Sequence, residues 1–133
     1  HIIENASILT AVGITGLFLY KFGRVTTIPF DNKNITSPYE VYLENKKQGL
    51  HTLFLLDIQE EKMMTAQEGC EYLLKQGLPK TTTVIACAAL GSNQQEIQIT
   101  EAPKIKLSKF PQCLIIPGKL NFKESEALSL YKQ

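Results

Sequence analysis

The chain has 133 residues, 44% hydrophobic and 20% charged, a balance that excludes disordered and fibrous classes and supplies one domain with a core that needs no staples. Fourteen basic against thirteen acidic residues leave a formal net charge of +1, so bulk charge gives no case for a nucleic-acid or membrane partner. Cys70, Cys87 and Cys113 are odd in number and lie in apolar surroundings, as reduced thiols of a cytoplasmic protein would; with only His1 and His51 beside them and no C-x-x-C or H-x-x-x-H spacing, no metal site is expected.

Residues 1–4 read as the end of a strand, and Asn5 or Ser7 can cap a helix that runs on toward Phe18. The stretch from residue 8 to residue 20 is the most apolar in the chain, but it is shorter than the roughly 20 residues of a membrane span and has no basic flank before it. A buried helix is expected there, with Gly13 and Gly16 marking close packing and Gly23 the stop. Residues 25–30 alternate with threonines as a strand does, and Asp31-Asn32-Lys33-Asn34 is a turn. A domain boundary is placed after residue 23, dividing the chain into 1–23 and 24–133.

Ser37 is a candidate cap with Pro38 at the first helical position, and Lys46, Lys47 and Gly49 close that helix. Residues 50–58 form an almost unbroken apolar run, the pattern of a strand covered on both faces. A second helix is predicted over 65–76, capped by Thr65 and stopped by Gly77. Residues 81–90 and 96–100 read as a hairpin around Gly91-Ser92-Asn93, residues 114–116 as a buried strand, and 123–131 as a closing helix with Ala127, Leu128 and Tyr131 on its apolar side. Helices alternating with strands on either side of the hairpin predict an α/β fold, a mixed β-sheet flanked by helices.

No G-x-G-x-x-G, Walker lysine or nucleophile–histidine pattern is present. The turn Asn5-Ala6-Ser7-Ile8 offers amides at a helix start that attract a polar or anionic ligand group, although Asn5 and Ser7 serve equally as ordinary caps. Asp57 ends a buried strand, where ligands gather in open α/β sheets, or caps the turn that follows. His51 is a candidate general base or a structural hydrogen-bonding residue, and Cys87 and Cys113 read as small core hydrophobes.

Two segments resemble a known family. Asn5-Ala6-Ser7-Ile8 followed by Leu17-Phe18-Leu19-Tyr20-Lys21-Phe22-Gly23, and Gly49-Leu50-His51-Thr52-Leu53-Phe54-Leu55-Leu56-Asp57-Ile58, are similar to elements in the second half of the diphthine synthases. These are S-adenosylmethionine-dependent methyltransferases of the tetrapyrrole-methylase superfamily. The resemblance implies a tetrapyrrole-methylase-like C-terminal domain plus a remnant of the N-terminal domain, with S-adenosyl-L-methionine in the cleft between the two. It implies cofactor contacts at Ser7 and Ile8, at Leu56, at Leu90 and near Pro111, made through backbone and shape. It also implies methyl transfer to the 3-amino-3-carboxypropyl group on a histidine of elongation factor 2, and a homodimer. An in-line displacement of this kind needs alignment and a deprotonated amine rather than a metal or covalent intermediate, and no catalytic base is assigned.

The chain departs from the family at three positions and in one length. Ala89 stands where an arginine is usual, Pro111 at or near a usual histidine, and Asn121 where a second histidine precedes Glu124; the segment between Glu60 and Lys62 is short. The family's glycine-rich first strand and Gly-Asp-Pro segment precede the point where the sequence starts, so the 133-residue chain by itself is expected neither to bind the cofactor tightly nor to turn over. A non-catalytic interaction domain retaining the fold is the alternative, and a tetrapyrrole methylase proper matches the second segment poorly.

Overall fold

The computed structural model of the chain describes residues 13–131. A five-stranded sheet is built from β1 (Thr26–Ile28), β2 (Thr52–Leu56), β5 (Thr83–Ala88), β6 (Glu96–Glu101) and β7 (Gln112–Ile116), in the order β1-β2-β7-β5-β6. β1 and β2 run parallel, joined through helix α1 (Ser37–Lys47), while β7 is antiparallel to both of its neighbours, β2 and β5. β2 and β5 are therefore parallel to each other, linked by helix α2 (Ala66–Gln76), with β7 threaded between them. β5 and β6 form the expected hairpin, and helix α3 (Phe122–Ser129) closes the chain. The predicted mixed sheet flanked by helices is the fold observed.

Side-chain alternation divides the sheet cleanly between two cores. Phe54 and Leu56, Val84 and Ala86, and Leu114 and Ile116 face one side, where Tyr42 of α1 and Cys70 and Leu73 of α2 meet them. Leu53, Ile85, Cys87, Cys113 and Ile115 face the other, covered by Leu17 and by Leu128 of α3. Both faces of β2, β5 and β7 are thus buried, which is why these strands read as continuous apolar runs. α2 lies close on the sheet: a Cβ on Gly69 would stand 2.8 Å from Leu56 Cδ2 and 2.9 Å from Leu114 Cδ1.

The helix ends follow simple chemistry. Thr65 makes a full capping box with Glu68, and Asn121 makes another with Glu124. At α1 the residue preceding the helix is Thr36, not Ser37, and its hydroxyl donates to Glu40 Oε1 at 2.6 Å instead of capping the backbone. Ser37 is itself the first helical residue and Pro38 the second, one step later than the sequence predicts.

The apolar N-terminal helix needs a larger correction. Residues 1–12, with the expected strand remnant, Asn5, Ser7 and Ile8, lie outside the described residues. From Gly13 onward the helix does not continue to Phe18: a single 3-10 turn spans Gly13–Thr15 and a second Leu19–Lys21. Gly16 between them has φ +89°, a left-handed conformation that ends helical geometry, and it sits where a Cβ would collide with Ala127 of α3. Gly16 is a close-packing glycine as expected, whereas a Cβ on Gly13 would meet nothing within 4 Å. A two-strand ribbon that the sequence reading did not anticipate, β3 (Ile58–Gln59) with β4 (Lys62–Met63), follows β2, and the short segment at Glu60 and Glu61 is its turn.

Candidate functional site

Because β1, β2 and β5 are parallel and β6 and β7 run against them, the carboxyl ends of the first three and the amino ends of the last two share one edge of the sheet. Three of the residues singled out in the sequence meet there. Leu55 pairs with Cys113 and Ala88 with Gln112, so Leu56, Gln112 and Ala88 stand at nearly one level on adjacent strands. Pro111 and Leu90 lie one and two residues beyond that level. With strands about 4.8 Å apart, the row from Leu56 to Leu90 crosses roughly 10 Å, the scale of a nucleoside.

The loops of this edge are held by their own polar groups. The Ala89 N–H donates to the Pro111 carbonyl at 2.9 Å, joining the β5 and β7 ends. Gln112 is buried; its Oε1 accepts from Ala66 N at 2.7 Å and its Nε2 donates to Lys109 O at 2.8 Å, tying the edge to the start of α2. Glu96 accepts from the amides of Ser108 at 3.0 Å and Lys109 at 2.7 Å, and the Lys109 amide leads in holding its carboxyl below the usual range. Ala89 has φ +50°, unusual for a residue with a Cβ, and the Phe110–Pro111 peptide is cis. Among the described residues neither the N–H nor the C=O of Leu90 has a hydrogen-bond partner, which leaves one strand end with backbone groups to offer a ligand.

Asp57 lies at this edge but its carboxylate is spent on structure: Oδ2 accepts from Phe30 N at 2.9 Å, while its own amide donates to Ile28 O at 3.1 Å. It fastens the end of β1 to the end of β2 rather than capping the turn after it. His51 precedes β2 and so lies at the opposite end of the sheet, about 16 Å from Leu56 along the strand. Its ring is buried, Nε2 is 2.7 Å from Glu124 Oε2, and Nδ1 accepts from Gly118 N at 2.8 Å. Of the two roles open to it, the structural one is observed.

Sequence reasoning passed over Gln112 and Glu124, both buried polar side chains whose partners are 46 and 73 residues away in Ala66 and His51. Burial pushes the Glu124 carboxyl up, but donors from Phe18 N, His51, Lys21 and Asn121 N outweigh it and hold it at about 2. Cys70 is pushed up to about 12 by burial and by Glu71. The Cys87 thiol is raised well above its ordinary value by its hydrogen bond with Cys113 and by burial. Among the described residues no group of three histidines, cysteines or acids could hold a metal ion, and no helix is long and apolar enough to cross a membrane.

No model of a known protein family matches the chain. Over 143 residues it is 42% identical to diphthine synthase of Methanocaldococcus jannaschii, an alignment that covers 96% of this chain and 56% of that protein. The chain is a homologue of the C-terminal part of the diphthine synthases. It spans about half the length of the relatives it matches. A crystal structure of diphthine synthase superposes with a TM-score of 0.85 at 29% identity, covering 94% of this chain and 51% of that one. The structure of an Entamoeba histolytica protein assigned to the same enzyme gives 0.86 at 28%, covering 95% and 57%.

Against the diphthine synthase pattern, the departures acquire physical roles. Asn121 Oδ1 accepts from Glu124 N at 2.8 Å as the cap of α3. Ala89 carries the left-handed turn that leads to Leu90.

Proposed function

We propose that this chain forms the C-terminal wall of an S-adenosylmethionine-dependent diphthine synthase, acting on the 3-amino-3-carboxypropyl-histidine of elongation factor 2 in the cytoplasm. The observation that carries the reading is that Leu56, Pro111 and Leu90, whose backbone has no partner among the described residues, share the carboxyl edge of the sheet, the place where open α/β sheets take their ligands. Apolar side chains beside the backbone N–H and C=O of Leu90 fit an adenosyl group, which asks for shape and a few backbone hydrogen bonds. Leu56, Leu90 and Pro111 would contact it at this edge through backbone and rim atoms, and the family resemblance adds Ser7 and Ile8 to the contacts.

The bound cofactor supplies a methyl group activated on a sulfonium. The Ala89–Pro111 hydrogen bond ties the β5 and β7 ends together and Gln112 ties that edge to the start of α2, so what this edge would contribute is alignment. Exposed Tyr20, Phe122 and Leu130 support association of two copies. The decisive assay is transfer of labelled methyl from S-adenosylmethionine to modified elongation factor 2 by the protein carrying this chain. Incorporation is expected, while cofactor binding without transfer would contradict the reading.

A non-catalytic interaction domain is the second reading. It is favoured by Ala89 and Asn121, a methyl group and a capping amide at positions where the family resemblance implies basic side chains.

A further inference from the structure

The end of the sheet opposite the proposed cofactor edge carries a cavity of about 680 Å³, within the roughly 300–1,000 Å³ range of small-molecule sites. Lys46 and Lys47 enter it from the end of α1, Thr82 and Thr83 from the start of β5, and Lys119 from the loop after β7, with Tyr42 beneath. No acidic residue lines it. In a chain whose net charge is only +1, three lysines lining one concavity are a local concentration of positive charge that the composition does not predict.

Lysines in a last helical turn commonly serve the helix carbonyls. Here those carbonyls are already served: Gln48 N and Leu50 N donate to Asn45 O, and Gly49 N to Lys46 O, each at 3.0 Å. Lys119 is on no helix and converges on the same space. Lys47 has only a 4.0 Å exposed contact with Glu44, and among the described residues the Lys46 and Lys119 ammonium groups have no ion-pair partner. The hydroxyls of Thr82 and Thr83 are likewise unengaged among the described residues.

The frame is rigid. Lys119 N donates to Gly49 O at 3.0 Å, Gly118 N to His51 Nδ1 at 2.8 Å, and a Cβ on Gly118 would strike the carbonyls of Gly49 and Leu50. The stretch Lys46-Lys47-Gln48-Gly49, just before β2 and unused by the cofactor edge, forms part of this frame.

We propose that this cavity binds a phosphoryl anion of pyrophosphate size, with the Lys46 and Lys119 ammonium groups as its cationic contacts, Lys47 at the rim, and the two threonine hydroxyls as donors. Lysine is a point-charge binder of phosphate, and a chain of two or three phosphates can engage both sides of the opening at once. The site is independent of the proposed methyl transfer.

Calorimetric titration of the protein carrying this chain with pyrophosphate, at fixed ionic strength, tests the proposal. Saturable one-to-one binding is expected. Affinity should fall at least ten-fold in Lys46→Ala/Lys119→Ala and stay unchanged in Lys106→Ala, a lysine remote from the cavity. A parallel titration with ATP separates the sources: equal affinity means that the phosphates alone are read, and higher affinity means that an organic portion also rests on the Tyr42 side. Failure to saturate with either probe, an unaltered double variant, or an equal loss in Lys106→Ala would overturn it. The lysines are exposed, so circular dichroism should show the variants folded.

Discussion

Nε2 of His51 lies 2.7 Å from Oε2 of Glu124, with both side chains fully removed from solvent. Since Nδ1 accepts the Gly118 amide, the proton sits on Nε2, and the imidazole donates to the carboxylate as a neutral ring. The cation of the cluster is Lys21, 2.9 Å from Oε1, Phe18 N adds a third donor at 2.9 Å, and Asn121 N a fourth at 3.1 Å. One carboxylate thus joins the chain before β1, the start of β2, the loop after β7 and the cap of α3.

Glu124→Gln should destabilise the fold by on the order of 3 kcal/mol, because it removes the charge from donors that stay buried. Urea unfolding measures it. A change under about 0.5 kcal/mol, the scale of an ordinary surface substitution, would show that the cluster does not hold these segments together.

The same carboxyl fixes the acid limb of stability. Its folded-state pKa of about 2 lies below the ordinary 4.5, so the folded state favours the ionised form. That contribution is complete above pH 4.5 and is lost as pH falls toward 2. Thermal melts across this window should show a steep decline in the parent protein and a shallower one in Glu124→Gln. Parallel slopes would contradict the assignment.

Two glycines should respond differently to alanine. Gly118→Ala drives a Cβ into backbone carbonyls of Gly49 and Leu50, which have no flexible end to yield, and should cost at least about 2 kcal/mol. Gly91→Ala has open space but a φ of +83°, so only the left-handed penalty of about 1 kcal/mol applies. Equal losses in chemical denaturation would refute the geometric distinction.

The three cysteines should be inert to a thiol reagent at pH 8 in the folded protein and all titrate on unfolding. Cys70, Cys87 and Cys113 are buried, and Cys87 and Cys113 are a register pair on β5 and β7, each protecting the other. Fast labelling of any one in native buffer would contradict the packing.

What the sequence conveyed was local. The apolar runs in residues 81–90 and 114–116, the Thr65 cap and the Gly77 stop are each decided by neighbours within one turn or strand, and the structure keeps them, the runs as β5 and β7. Over the described part of the apolar run before Tyr20 the helix reading fails because composition registers hydrophobicity and not φ: Gly16 takes a left-handed φ where Ala127 packs against it. The insertion of β7 between β2 and β5, the Gln112 bridge and the His51–Glu124 pair link positions dozens of residues apart, and no local pattern encodes such pairings. Of the proposed cofactor residues, Leu56, Leu90 and Pro111 entered through the family resemblance, and the strand register brings them to one edge; Ser7 and Ile8 lie outside the described residues.

A crystal structure of the protein carrying this chain with S-adenosylhomocysteine measures the central claim most directly. The adenosyl group should lie in van der Waals contact with Leu56, Leu90 and Pro111, with a hydrogen bond to the Leu90 backbone. Density for the nucleoside at the lysine-lined cavity instead, or a complex in which Leu90 makes no contact with it, would contradict the account.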